Sequence, residues 1–210
     1  MADTPVSGLA LASALSDADE FKINQGGTSK RAPASLLKPY IGDSLYNVSV
    51  ADQTINAATT AYLTNSNIAV PVGKLRIGTR FKYTISLSKT GAGTAANSFF
   101  FKVGTAGTTA DTSVLTFTTG TGTAVIDQGV IFITVVCRGP LTASGIFQGV
   151  FSMFHELAAT GLQNKAARIH LLTSAAFNVT TANLICGLAC TTAASTVLTF
   201  QLVEVEAKNL

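Results

Sequence analysis

His155-Glu156, with His170 further along the chain, comes nearest to a catalytic or metal-binding set in this sequence. A His-Glu pair and a distant second His can supply a general base, an acid and imidazole ligands for an ion. The pair ends an apolar run read as a strand, and adjacent strand residues point to opposite faces, so His155 and Glu156 cannot turn to one ion without a bulge. The expected role for His155 is a hydrogen-bonded interface residue. Only a threefold axis would bring three copies of it onto one ion, and no metal or cofactor is expected. The cysteines Cys137, Cys186 and Cys190 are odd in number and lie in apolar surroundings, which points to buried thiols rather than a disulfide framework. Cys186 and Cys190 would share one strand face as small core side chains. After residue 60 the carboxylates are Asp111, Asp127, Glu156, Glu204 and Glu206, too dispersed for the acid pair of a depolymerase. Gly26-Gly27-Thr28-Ser29-Lys30 lacks the first glycine of a phosphate loop, and Gly145-Ile146-Phe147-Gln148-Gly149 has no nucleophile at its centre. The expectation is a protein that is not an enzyme.

These side chains sit in an unusual background. Hydrophobic residues make up 47% of the chain and charged residues only 12%, about half the usual charged share of roughly 25%. So few charges leave a monomer short of polar surface, so we expect an oligomer. The net charge of +3 comes from 14 scattered Lys and Arg, with Lys30-Arg31 the densest cluster. That is too little for phosphate neutralisation, and no nucleic-acid partner is expected. No run of about 18 apolar residues is present, so no membrane partner is expected. The N-terminus shows no signal-peptide pattern, which leads us to expect that the protein is made and assembled in a cytoplasm.

The periodicity changes near Gly42. Residues 1–42 hold a short alternating strand at Glu20–Asn24, a Gly26-Gly27 turn, a basic return through Lys30-Arg31, and a helical start after Pro33 containing Leu36 and Leu37. Residues 43–210 follow period two. Phe81, Tyr83, Ile85 and Leu87 face one way, with basic or hydroxyl residues between them. At the C-terminal end, Leu198, Phe200, Leu202, Glu204 and Glu206 are assigned to one face and Val197, Thr199, Gln201, Val203 and Val205 to the other. Gly91-Ala92-Gly93, Gly104–Gly107, Gly120-Thr121-Gly122 and Gly139-Pro140 separate apolar runs, giving about eight antiparallel strands. The expected fold is all-β, a jelly-roll-like antiparallel sandwich with a short N-terminal adaptor of hairpin plus helix. Val130–Cys137 and Asn183–Leu188 are apolar on both faces, so both sides need cover. The second side is assigned to another subunit through Ile131, Ile133, Val135, His155, Leu184 and Leu188.

Ser16–Arg31 with Leu36-Leu37 resembles the adaptor that opens many tailed-bacteriophage fibre and virion-surface proteins. Phe81–Ala95 and Phe101–Asp111 resemble hairpins of small phage structural proteins that form a trimeric jelly roll. The resemblance implies a virion structural protein: a homotrimer on the capsid as head decoration, cement or head fibre, bound to the major capsid protein. A short tail fibre held by a portal or tail adaptor protein is the alternative. The chain shows no shaft of repeats or coiled coil, which favours the capsid. In this picture Phe21 and Ile23 are the apolar anchors, with Leu36 and Leu37 beside them, and Lys30 and Arg31 meet acidic shell surface. A carbohydrate-binding jelly roll would need an exposed aromatic platform, but Trp is absent.

Overall fold

A computed structural model describes residues 20–25, 28–33 and 44–210, apart from 57, 166 and 181. The chain divides into two units, 1–43 and 44–210. In the first, β1 (Glu20–Gln25) and β2 (Thr28–Pro33) pair antiparallel, with Phe21 opposite Ala32 and Ile23 opposite Lys30. The expected Gly26-Gly27 turn and the helix after Pro33 lie outside the described residues.

The second unit is an antiparallel two-sheet sandwich. Its strands are β3 (Ser44–Ser49), β4 (Gln53–Ile55), β5 (Thr60–Tyr62), β6 (Ile68–Val70), β7 (Arg80–Thr90), β8 (Ser98–Gly104), β9 (Thr112–Thr118), β10 (Asp127–Cys137), β11 (Phe147–His155), β12 (Ala167–Thr173), β13 (Leu184–Thr191) and β14 (Val197–Lys208). One sheet runs β12-β11-β10-β7-β14-β3, with β4 also on β14; the other runs β5-β13-β8-β9, with β6 also on β13. Nine of these twelve strands have six residues or more, against about eight expected; β4, β5 and β6 are three-residue pieces, too short to show a period. The glycine-rich stretches at 91–93, 104–107, 120–122 and 139–140 connect β7 to β8, β8 to β9, β9 to β10 and β10 to β11.

The core is an aromatic layer between the sheets. Phe81 and Phe147 pack on Phe101 at 5.5 and 5.6 Å between ring centroids, and Tyr83 meets the same ring edge-on at 6.3 Å. Phe99 takes Phe151 at 5.8 Å and Phe200 at 6.2 Å, while Phe117 stacks on Phe151 at 5.8 Å. Every one of these pairs joins one sheet to the other. Offset or tilted ring pairs add about 0.5–1.5 kcal/mol each beyond their buried area. Gly149 makes the Phe117 contact possible, since a Cβ there would lie 2.5 Å from the Phe117 ring.

Two expected face assignments change. In β14 the pairing to β7 shifts between Phe200 and Leu202, leaving Gln201 as the extra residue of a bulge. The bulge reverses the alternation, so the core face holds Leu198 and Phe200 and then Val203, Val205 and Ala207. The period-two reading had split this set between two faces. The second change concerns Ile131, Ile133, Val135, Leu184 and Leu188, which were assigned to a contact between subunits. All five are buried in the core of the single chain. They form the inward faces of β10 and β13, and the sandwich itself uses that side up. The other face of β13 is also covered from within: the Tyr62 hydroxyl lies where a Cβ of Gly187 would be, and Gly107 lies against Ile185.

Two variants test this packing. Phe151→Ala removes a ring that touches both Phe99 and Phe117 and is expected to cost about 3–5 kcal/mol in urea denaturation. Deleting Gln201 forces either Leu198 and Phe200 or Val203, Val205 and Ala207 out of the core, and is expected to leave no cooperative thermal transition by circular dichroism.

Candidate functional site

Asp127 opens β10 and His155 closes β11, and the ladder brings them together because Gly129 pairs with His155. The buried Asp127 carboxylate accepts N–H bonds from Gln128 at 2.8 Å and Leu157 at 3.3 Å on Oδ1. On Oδ2 it accepts Leu162 N–H at 2.9 Å and meets His155 Nδ1 at 2.6 Å. His155 Nε2 lies 2.6 Å from the Lys165 carbonyl, which can only accept, so Nε2 donates. Both ring nitrogens are therefore engaged within the chain, and neither is free to bind a metal or activate a nucleophile. This replaces the expected interface role for His155. Glu156 turns away and accepts a bond from Gln128 Nε2 at 2.9 Å.

Lys89 completes the cluster. It is buried, and its ammonium donates to the carbonyls of Thr123 at 2.7 Å, Gly91 at 3.2 Å and Val125 at 3.4 Å. Burial lowers its pKa from the ordinary 10.5, and the Asp127 charge partly offsets this. Gly161 closes the arrangement at φ +84°, with its Cα against the Asp127 side chain. The chemistry is that of a latch, tying segments 119–126 and 156–165 to the ends of β7, β10 and β11.

The remaining polar groups fall elsewhere. His170 lies on β12 opposite Phe151, four residues along β11 from His155, with its ring edge-on to Phe117 at 6.4 Å. Among the described residues no three His, Cys, Asp or Glu side chains converge as metal ligands. Asp111 caps its own loop, accepting N–H bonds from Ala106 at 3.2 Å, Gly107 at 2.7 Å and Thr108 at 3.3 Å. The Lys102 ammonium donates to the Asp111 carbonyl at 2.7 Å and to Ser113 Oγ at 3.0 Å. Glu204 and Glu206 share the outward face of β14, with Glu206 paired to Lys208 at 2.8 Å. Cys186 and Cys190 are buried free thiols on one face of β13, and burial pushes both pKa values up.

Phe21, Ile23, Lys30 and Arg31 fall on the β1–β2 hairpin, while Leu36 and Leu37 lie outside the described residues. The sequence reading missed a set on the outer face of the seven-stranded sheet: Phe132, Val150, Phe154, Ile169 and Leu171, all exposed. Its signal was the two-sided apolar run Val130–Cys137, of which the expectation chose the inward side. In β12 the usual rule is inverted. Ile169 and Leu171 point out, while Arg168 and His170 are half-buried on the inward face beside Leu172.

No protein-family model and no curated protein sequence matches the chain. Among the solved structures that are similar at low level are two of different kinds. Peanut lectin with a nine-residue peptide (PVIWSSATG) has a TM-score of 0.33 and 8% identity, covering 79% of this chain and 98% of that one. The CBM2 module of the evolved Dit of Lactobacillus casei BL23 phage J-1 has a TM-score of 0.29 and 9% identity, covering 69% of each chain. At these scores neither likeness bears on what this chain does.

Asp127→Ala strands its N–H donors and His155 together, and is expected to cost about 3–5 kcal/mol in urea denaturation. A loss below about 1 kcal/mol would show that the cluster does not hold its segments. A pH test follows from the buried thiols, which stay protonated in the fold but ionise in the unfolded chain near 9.0. Their raised pKa stabilises the fold in full below that pH and is lost as pH rises, at about 1.4 kcal/mol per unit for each thiol. Lys89, with its lowered pKa, works in the opposite direction below 10.5 and offsets part of this. Between pH 9 and about 10.5, wild-type stability is therefore expected to fall more steeply than that of Cys186→Ala with Cys190→Ala.

Proposed function

We propose that the chain is a non-enzymatic structural protein of a tailed-bacteriophage virion, set as a homotrimer on the capsid surface and held by its N-terminal segment. The observation that carries this reading is the division of the chain into a small unit with an adaptor-like hairpin at Glu20–Pro33 and a separate β-sandwich. A hairpin of two six-residue strands is marginal in water alone and gains from a partner sheet or surface. Each of its strands keeps one unpaired edge among the described residues, and the Glu20–Asn24 edge can add to a sheet of the capsid protein.

In this reading Phe21 and Ile23 anchor the arm, each contributing about 1.5–3 kcal/mol when buried. Lys30 and Arg31 meet acidic shell surface, and Leu36 and Leu37 extend the contact. Three weak arms on one trimer act together, because after the first binds the others are held at high effective concentration. The sandwich is the body that the arms carry. No reacting group is assigned to it: its histidine–carboxylate pair is spent on the latch, and its thiols are buried.

Immunogold labelling of intact particles by negative-stain electron microscopy tests the reading. Gold over the heads is the expected result. Gold at the tail would make the protein a short tail fibre on a portal or tail adaptor protein, and particles without gold would overturn the virion reading. Phe21→Ala with Ile23→Ala is expected to release the protein from particles while leaving its oligomer intact. Loss of the oligomer instead would contradict this division of labour.

A further inference from the structure

The outer face of the seven-stranded sheet is divided in character. Toward β7 and β14 it is charged and self-neutralising, with Lys82 opposite Glu206. Toward β10, β11 and β12 it carries Phe132 at 38% exposure, Val150 at 38%, Phe154 at 47%, Ile169 at 75% and Leu171 at 60%. The register makes these one patch. Val150 lies opposite Leu171, Ser152 sits between Phe132 and Ile169, and the Phe132 and Phe154 rings meet edge-on at 6.4 Å. No charged side chain stands among them.

We infer that this face is covered by a second copy of the chain, an inference that rests on the oligomeric part of the proposed function and assigns its surface. Three observations favour that occupant. The five side chains leave roughly 400–500 Å² of apolar surface in water, within the range of about 300–600 Å² for the largest patch of a monomer and often functional at that size. This is about half of the roughly 800 Å² per partner that a stable interface buries, and the surrounding polar rim can supply the rest. Second, the patch runs onto β12, a seven-residue edge strand whose outward side chains include no lysine, proline or other charge to block pairing. A neighbour that covers the face meets an open backbone edge as well.

Third, β12 itself is inverted. Its pairing with β11 places Arg168, His170 and Leu172 toward the sandwich and Ile169 and Leu171 toward solvent, although the reverse would bury more apolar surface. An inversion of that kind is stable when the outward face is itself an interior in the assembled state. Beside the patch, a shallow groove of about 370 Å³ between Ser86, Val130, Phe154 and Glu156 offers a seat for side chains of the neighbouring copy. The contrast with β13 is direct: that strand is also apolar on both sides, but Tyr62 and the segment at Gly107 cover it from within. The β10–β12 face has no such cover among the described residues.

Sedimentation velocity of the full chain at micromolar concentration tests the inference, with Ile169→Glu plus Leu171→Glu as the probe variant. The wild type is expected to sediment as a closed oligomer. The variant is expected to be monomeric, weakened at least about a hundredfold by paired like charges in a desolvated contact, while keeping a cooperative thermal transition. Phe132→Gln plus Phe154→Gln provides the same readout from the neighbouring strands if the β12 variant does not fold. A monomeric wild type, or an oligomer that either folded variant leaves intact, overturns the inference. A monomer that still labels particles overturns it while sparing the virion reading. An oligomer of this face that labels no particle does the reverse.

Discussion

The aromatic layer between the two sheets decides the inside of this molecule. Phe99, Phe101 and Phe117 from one sheet meet Phe81, Tyr83, Phe147, Phe151 and Phe200 from the other, so each strand that carries a ring is committed to one orientation. A pleated strand cannot turn one residue inward without turning its neighbours outward. Where the chain needs a change of parity it inserts a residue, as at Gln201, and so delivers both Phe200 and Val203 to the core.

Everything polar is fitted around that commitment. Lys89, Asp127 and His155 lie at one end of the layer; Asp127 and His155 pair with each other, and all three bond the connecting backbone, so the longer connections are held without a large core of their own. Lys102 and Asp111 do the same for the turn after β8. The cost of burying these groups is offset because nearly all their hydrogen-bonding capacity is met locally. What the layer cannot provide is cover for the outside. On β13 the chain supplies it with Tyr62; on β10, β11 and β12 no described residue does.

Much of the architecture was legible in the sequence because antiparallel strands with one wet face announce themselves by alternation. Phe81, Tyr83, Ile85 and Leu87 were assigned to a common face and share the core. The glycine-rich connections were visible because such turns favour residues without a Cβ. The three-residue strands β4 to β6 were not visible, since periodicity needs length. The faces of β14 beyond Gln201 were misassigned because a bulge has no period. For β10 the sequence showed that both sides are apolar, which is a statement about two environments; only the pairing of β10 with β7 and β11 reveals which side the chain fills. In β12 the hydrophobic-inside rule points the wrong way for Ile169 and Leu171, which the register to β11 turns outward. His155 was recognised as hydrogen-bonded, but its partner Asp127 lies 28 residues away in sequence and could not be matched to it without the ladder.

The central claim is that the outer face of β10–β12 is an interior in the assembled protein. Hydroxyl-radical footprinting of the native chain across a dilution series reads this directly at Phe132, Phe154, Ile169 and Leu171, with exposed Tyr46 on β3 as an internal standard. The account predicts that these four side chains resist oxidation at high concentration and gain reactivity together on dilution, while Tyr46 stays constant. Equal reactivity at every concentration, matching their exposure in the single chain, would contradict it.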